Sequence, residues 1–211
     1  MYKFPSNLTS RLPFHPPNPD KSHPYAASSH TPPFQRPPSE TPAMATINIS
    51  SHVATTFTKG LNTLLHILDA AEAHAKKTGA DVNNDYLPAH PNATKNVKAH
   101  LDRLSGSDAA PWEDTEKTWE EFRSRIAKAK KYIEGVDLSV IDKRLEEGVK
   151  VDHPFGATAL HIAAKDSVLG HGIPNFYFHL ATAYSILRSK GVPVGKKDWI
   201  LEFFRPEVEF P

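Results

Sequence analysis

The chain has 211 residues, with 25 basic against 24 acidic side chains, 12 histidines and no cysteine. Balanced charge, with no basic run carrying interleaved aromatics, argues against a nucleic-acid partner, and no apolar run approaches bilayer-spanning length, so no membrane partner is expected either. The missing cysteines exclude disulfides, thiolate catalysis and cysteine-ligated zinc or iron–sulfur clusters, and they fit a reducing, cytoplasmic setting.

Residues 1–43 hold 11 of the 19 prolines, no glycine and few aliphatics. Such a segment cannot bury enough apolar surface to offset its ordering entropy, and a disordered tail is expected. It lacks the apolar core of a secretory signal. It is acid-poor and serine-rich, as transit peptides are, but its prolines forbid their usual amphipathic helix. Met44 opens "MATINISSHVATTF", where patterned sequence begins, which raises the expectation that residues 1–43 are not part of the working protein.

From Met44 the period becomes helical. Val53, Phe57, Leu61, Leu64, Leu68, Ala71 and Ala75 recur at threes and fours, the seam of a first helix capped by Ser50 or Ser51 and ended near Gly79. A shorter second helix opens at Pro91 and Asn92, turns Val97, Leu101 and Leu104 inward and closes at Gly106. In a third, Trp119, Phe122, Ile126, Ala129 and Ile133 form the inward stripe. Thr118 and Glu121 there have capping-box spacing, and the charged residues read as a solvated face.

The period then switches to two. "GVKVDH" and "TALHIA" alternate around the turn "PFGA", and a short β-hairpin is expected between the third and fourth helices. The fourth helix carries Phe176, Leu180, Ala183, Tyr184 and Leu187 inward and stops at Gly191 and Pro193. Pro174 either begins it or kinks a longer helix that starts near Asp166. Four apolar stripes bury one another in an all-α four-helix bundle, expected over residues 44–201, with 202–211 as a C-terminal tail. Trp199, Ile200, Leu201, Phe203 and Phe204 crowd the end of the chain and should pack on the bundle or on a partner, a second copy included.

The chemistry-bearing residues are histidines. His171, Asn175 and His179 follow at intervals of four, on one side of a helix. A spacing of eight separates His171 from His179 by about 12 Å, too far for one ion to bridge. Projected at a hundred degrees per residue, His179 lies at the edge of the apolar stripe and His171 points further out. A metal therefore needs ligands from other helices, and His100, His66 and His74 are available. No HExxH, GxSxG or phosphate-cradling glycine loop is present. "GVPVGKKDW" follows a helix and does not open one, and Lys196, Lys197 and Asp198 read as a solvated turn.

The segment "IPNFYFHLATAYSILRSKGVPVGKKDWIL" closely resembles the motif "LPNFYFHxxTAYxILRxxGVPxGKxDxL" of an uncharacterised "domain of unknown function" family. "KGLNTLLHILDAAEAHA" and "WEDTEKTWEEFRSRIAKAKKYI" are similar to that family's first and third helices, and the resemblance runs from about residue 47 to 201. The family is grouped with the DinB-like (YfiT-like) four-helix bundles, where metal-dependent hydrolases and thiol-dependent transferases occur. The group's metal pattern is one histidine on the second helix and an HxxxH pair on the fourth. Carried onto this chain, the resemblance implies His179 as the second member of the pair, Asn175 in place of the first, and His100 as the second-helix ligand. Relatives carry a further segment of the kind "DMxPLxxQV" before the second helix, whereas here "HPNATKNV" follows "DVNNDYLPA" directly. That shortening implies a thinner wall, either covered by the C-terminal aromatics or a second subunit or left open in a chain that folds poorly, and marginal stability is expected.

Two readings follow. The first is a degenerate or metal-free helical module binding a small ligand or its own copy as a homodimer, with Tyr177, Tyr184 and His171 lining the pocket. The alternative is an enzyme, a hydrolase or transferase with a single divalent metal such as zinc or nickel held by His179, Asn175 and His100.

Overall fold

A computed structural model of the chain describes residues 48–86 and 92–205. The tail expected over 1–43 lies outside them, as does the end of the chain after 205. The first helix, α1 (Ile49–Thr78), buries the whole predicted seam from Val53 to Ala75. Its cap is Asn48, whose side chain accepts from the Ser51 N–H, and not Ser50 or Ser51 themselves. Gly79 ends it at φ 77°, the left-handed conformation that a Cβ disfavours. A π-helical turn over Val82–Tyr86 then folds the Tyr86 ring inward.

The second helix, α2 (Asn92–Ser105), has 14 residues beside the 30 of α1. The third, α3 (Trp119–Gly135), begins at the predicted reciprocal cap: Thr118 Oγ1 accepts from the Glu121 N–H, and the Glu121 carboxylate accepts from the Thr118 N–H. Its charged face is not all solvated. Arg125 is 4% exposed, donates to Thr94 Oγ1 at 2.8 Å and pairs with Asp114 and Glu116. The chain between α2 and α3 folds back over both helices and supplies those carboxylates.

A helix that the periodicity does not announce, α4 (Leu138–Glu146), comes next, capped by Asp137 and burying only Ile141. Nine residues with one buried position leave no stripe to read. Strands β1 (Lys150–Phe155) and β2 (Thr158–Ala163) pair antiparallel, with Val151 opposite Ile162 and His153 opposite Leu160. Gly156, at φ 61°, makes the turn between them.

The helix predicted to start at or before Pro174 is a composite. A short α5 (Ala164–Ser167) runs into a π-helical turn over Val168–Gly172 and then into α6 (Ile173–Ser189). The Ile173 N–H reaches back five residues to the Val168 carbonyl. Proline at 174 has no N–H to give the carbonyl four residues back, so the wider turn sits where the α-helical ladder would break in any case. The last helix, α7 (Lys196–Phe204), runs through position 201, where the sequence pattern places the end of the bundle, because Glu202 is buried and the helix lies against α1. Asp198 is more than a turn residue: it accepts from the Gly195 N–H at 2.8 Å and meets His66 of α1 at 3.0 Å.

The described residues are thus mostly helical with one small antiparallel sheet. α1 packs against α3, α6 and α7, and α2 lies between α3 and α6. Trp199 and Phe203 of α7 pack on Tyr184 and Tyr177 of α6, which puts those two C-terminal aromatics on the body of the protein, whereas Phe204 is 79% exposed. Among the described residues no helix is long and apolar enough to cross a membrane.

The tightest helix contact is Gly60 of α1 beneath the fully buried Phe176 of α6. A Cβ at 60 would lie 2.2 and 2.5 Å from two ring carbons. Gly60→Ala gains about 1 kcal/mol of helix propensity but overpacks a closed core, at a cost of about 1–3 kcal/mol. Urea unfolding is expected to show net destabilisation, relieved when Phe176→Leu is added.

Candidate metal centre

Three imidazoles from three separate elements converge where α2, β1 and the π-helical turn meet. His100 comes from α2, His153 from β1 and His171 from the turn. One ligand nitrogen from each lies within 4.8 Å of the other two. His171 Nδ1 and His100 Nε2 are 3.4 Å apart, and the His153 and His171 rings meet edge to face at 4.3 Å. His100 and His153 are each only 2% exposed, and His171 is half-buried.

Each ring is held by a specific local cause. His100 rests on bare backbone: a Cβ at Gly172 would sit 2.8 Å from its Cγ and Nδ1, so only glycine lets the turn approach that closely. His153 follows Val151 by two residues and so occupies the inward face of its strand. Its Nδ1 lies 2.8 Å from the buried Ser167 hydroxyl of α5. If that nitrogen carries the proton and donates to Ser167, Nε2 presents a lone pair, and Nε2 has no partner among the described residues. His100 Nδ1 is likewise buried without a partner among the described residues. His171 joins the group because the π-helical turn changes the angle per residue on which the outward projection rested.

The sequence matches the domain of unknown function DUF1993 over residues 50–200. The chain belongs to the DUF1993 family. Among solved structures it is similar to a DinB family member protein from Shewanella denitrificans, with 29% identity and a TM-score of 0.63, over 77% of this chain and 97% of that one. No curated protein matches it. The DinB-like grouping of the family expected from the C-terminal motif is therefore shown, while the cluster in this DUF1993 chain is drawn from positions other than an HxxxH pair.

Of the residues singled out from sequence, His100 and His171 stand in the cluster. Asn175 and His179, one and two turns further along α6, line the same cleft beside it. Tyr177 and Tyr184 face α7: Tyr177 packs on Phe203, and Tyr184 on Trp199 with its hydroxyl 3.5 Å from the Val194 carbonyl. His66 meets Asp198, and His74 lies near Gly191, so neither of these α1 histidines is in the cluster. Sequence reasoning missed His153, although the Val149–Val151–His153 alternation was the signal for it.

Burial above all, then the Arg103 charge and the two neighbouring imidazoles, pushes His100 down to about 3. Burial, His171 and Arg103 lower His153 as well. These rings are therefore neutral in the folded protein at pH 7. The unfolded chain takes up a proton at His100 near pH 6.5 and the folded chain only near 3, so folding is weakened as pH falls through that window. Metal-free protein is expected to lose on the order of 1 kcal/mol of stability per pH unit inside the window from His100 alone. Urea titrations at pH 7, 5.5 and 4.5 check this, and His100→Leu should flatten the dependence.

Proposed function

We propose that this DUF1993 chain is a metal-dependent hydrolase or transferase that holds one divalent ion, zinc or nickel, on His100, His153 and His171. The observation that carries the reading is the convergence of three imidazoles whose ligand nitrogens lie within 4.8 Å of one another, with the buried His153 Nε2 unpartnered among the described residues. A tetrahedral zinc site with Zn–N bonds of about 2.0–2.1 Å has its nitrogens about 3.3–3.4 Å apart. The His100–His171 separation of 3.4 Å already matches that edge, and drawing the wider separations in takes ångström-scale ring movements.

Three protein ligands beside a cleft is the form of a catalytic site and not of a closed structural one. Bound there, a divalent ion would supply Lewis acidity to an oxygen of substrate or water. The chain's own residues do the rest. Ser167 fixes the tautomer of His153, Gly172 seats His100, and Asn175 and His179 orient what enters the cleft. Similarity to a DinB family member supports a bundle-type scaffold for such a site.

Purified protein loaded with zinc and desalted should retain close to one equivalent by inductively coupled plasma mass spectrometry. His153→Ala and His100→Ala should fall to background, whereas Asn175→Ala and His179→Ala should keep most of the metal. Loss at His179→Ala as complete as at His153→Ala would move the ion to the ligand set implied by the family motif. A wild-type protein that retains none removes the metal reading.

A further inference from the structure

The cleft around the three imidazoles, about 270 Å³, has an uneven charge. Among the described residues its lining includes two cations, Lys95 and Arg103, and no carboxylate. Lys95 is already answered by Asp114 at 2.8 Å. Arg103 is not. Its guanidinium makes one hydrogen bond, from Nη1 to the Ala99 carbonyl of its own helix at 3.1 Å, and no ion pair among the described residues. The adjacent Asp102 is engaged by Lys98 and by the Tyr132 hydroxyl, and its charge also favours the Arg103 cation, but without an ion pair between them. A half-buried fork with most of its donors unanswered therefore stands three residues from His100, on the same side of the helix.

A further feature points the same way. An imidazole that ligates a metal does so without charge, so an ion held by three of them alone would keep both its positive charges. Arg103 adds a third beside it, and a low-dielectric pocket with that sum attracts negative charge.

We infer that the cleft takes a small ligand bearing an anionic oxygen group, a carboxylate or a phosphate, docked on the Arg103 guanidinium with the group turned toward the three histidines. The planar fork matches two oxygens at once, which an ammonium does not. The contribution of the ion to this inference rests on the metal reading above, while the contribution of Arg103 does not.

The test titrates inorganic phosphate, and separately acetate, into cobalt-loaded wild type, Arg103→Gln and Arg103→Lys by calorimetry. Metal content is measured on each sample, and thermal melts confirm folding. Wild type should bind at least one of the two anions, and whichever binds names the class. Arg103→Gln should weaken that anion about tenfold or more at unchanged metal content, with Arg103→Lys in between. Binding of neither anion to wild type, or equal affinity in Arg103→Gln, overturns the inference. If no sample holds cobalt, the metal reading fails separately. The metal-free chain then decides by the same comparison: Arg103-dependent anion binding upholds the docking role, and its absence overturns it.

Discussion

A helix of 14 residues between α3 and α6 has three unlike faces to hide, and the way α2 hides them shapes the rest of the molecule. Its apolar face, Ala93, Val97, Leu101 and Leu104, joins the core. A second face carries Thr94, Lys98 and Asp102. These are buried because the chain between α2 and α3 folds over them, with Ala109 accepting from Lys98 and Arg125 reaching Thr94. Burying ions is costly unless each finds a partner. Here each does, and the Tyr132 hydroxyl, pushed up to about 12 by burial and by Asp102, stays protonated to donate.

The third face holds His100, and its partners come from elements that have little else in common. A two-stranded ribbon and an irregular turn are brought to one spot because each covers part of α2 or of the start of α6. The electrostatic outcome follows from that placement. Rings deprived of water beside a guanidinium give up their protons, so nitrogen lone pairs are exposed to one another at short range. A cluster of this kind is poorly satisfied by protein alone, which is why unpartnered nitrogens collect in it.

Much of the helical framework was legible in the sequence because its signals are periodic. The seam of α1, the inward residues of α2, the Thr118–Glu121 cap and the change of period at the hairpin all appear in the structure. What escaped is local and aperiodic. α4 buries one residue and leaves no stripe. The π-helical turn has no period of its own, and without it His171 projects the wrong way. Arg125 reads as solvated until the preceding loop is seen to cover it. The site was half legible: His100 and His171 were picked out, but His153 was passed over because a histidine in an alternating strand looks like any other inward residue. Gly172 carried no signal, since the ring that needs its missing methyl comes from a residue 72 positions earlier.

The ribbon formed by β1 and β2 has one further property. Two strands alone hold together weakly, and this pair is fixed to the helices chiefly through Val151, the His153–Ser167 contact and the bond from Ala164 to Val149. Its tip, with Phe155 at 61% exposure, projects from the body. Because His153 belongs to both, the ribbon cannot leave the helices without taking the histidine cluster apart. Anything that binds across the cluster holds the ribbon down by the same free energy that the docked ribbon adds to its grip. The hairpin is therefore a clasp whose catch is an imidazole.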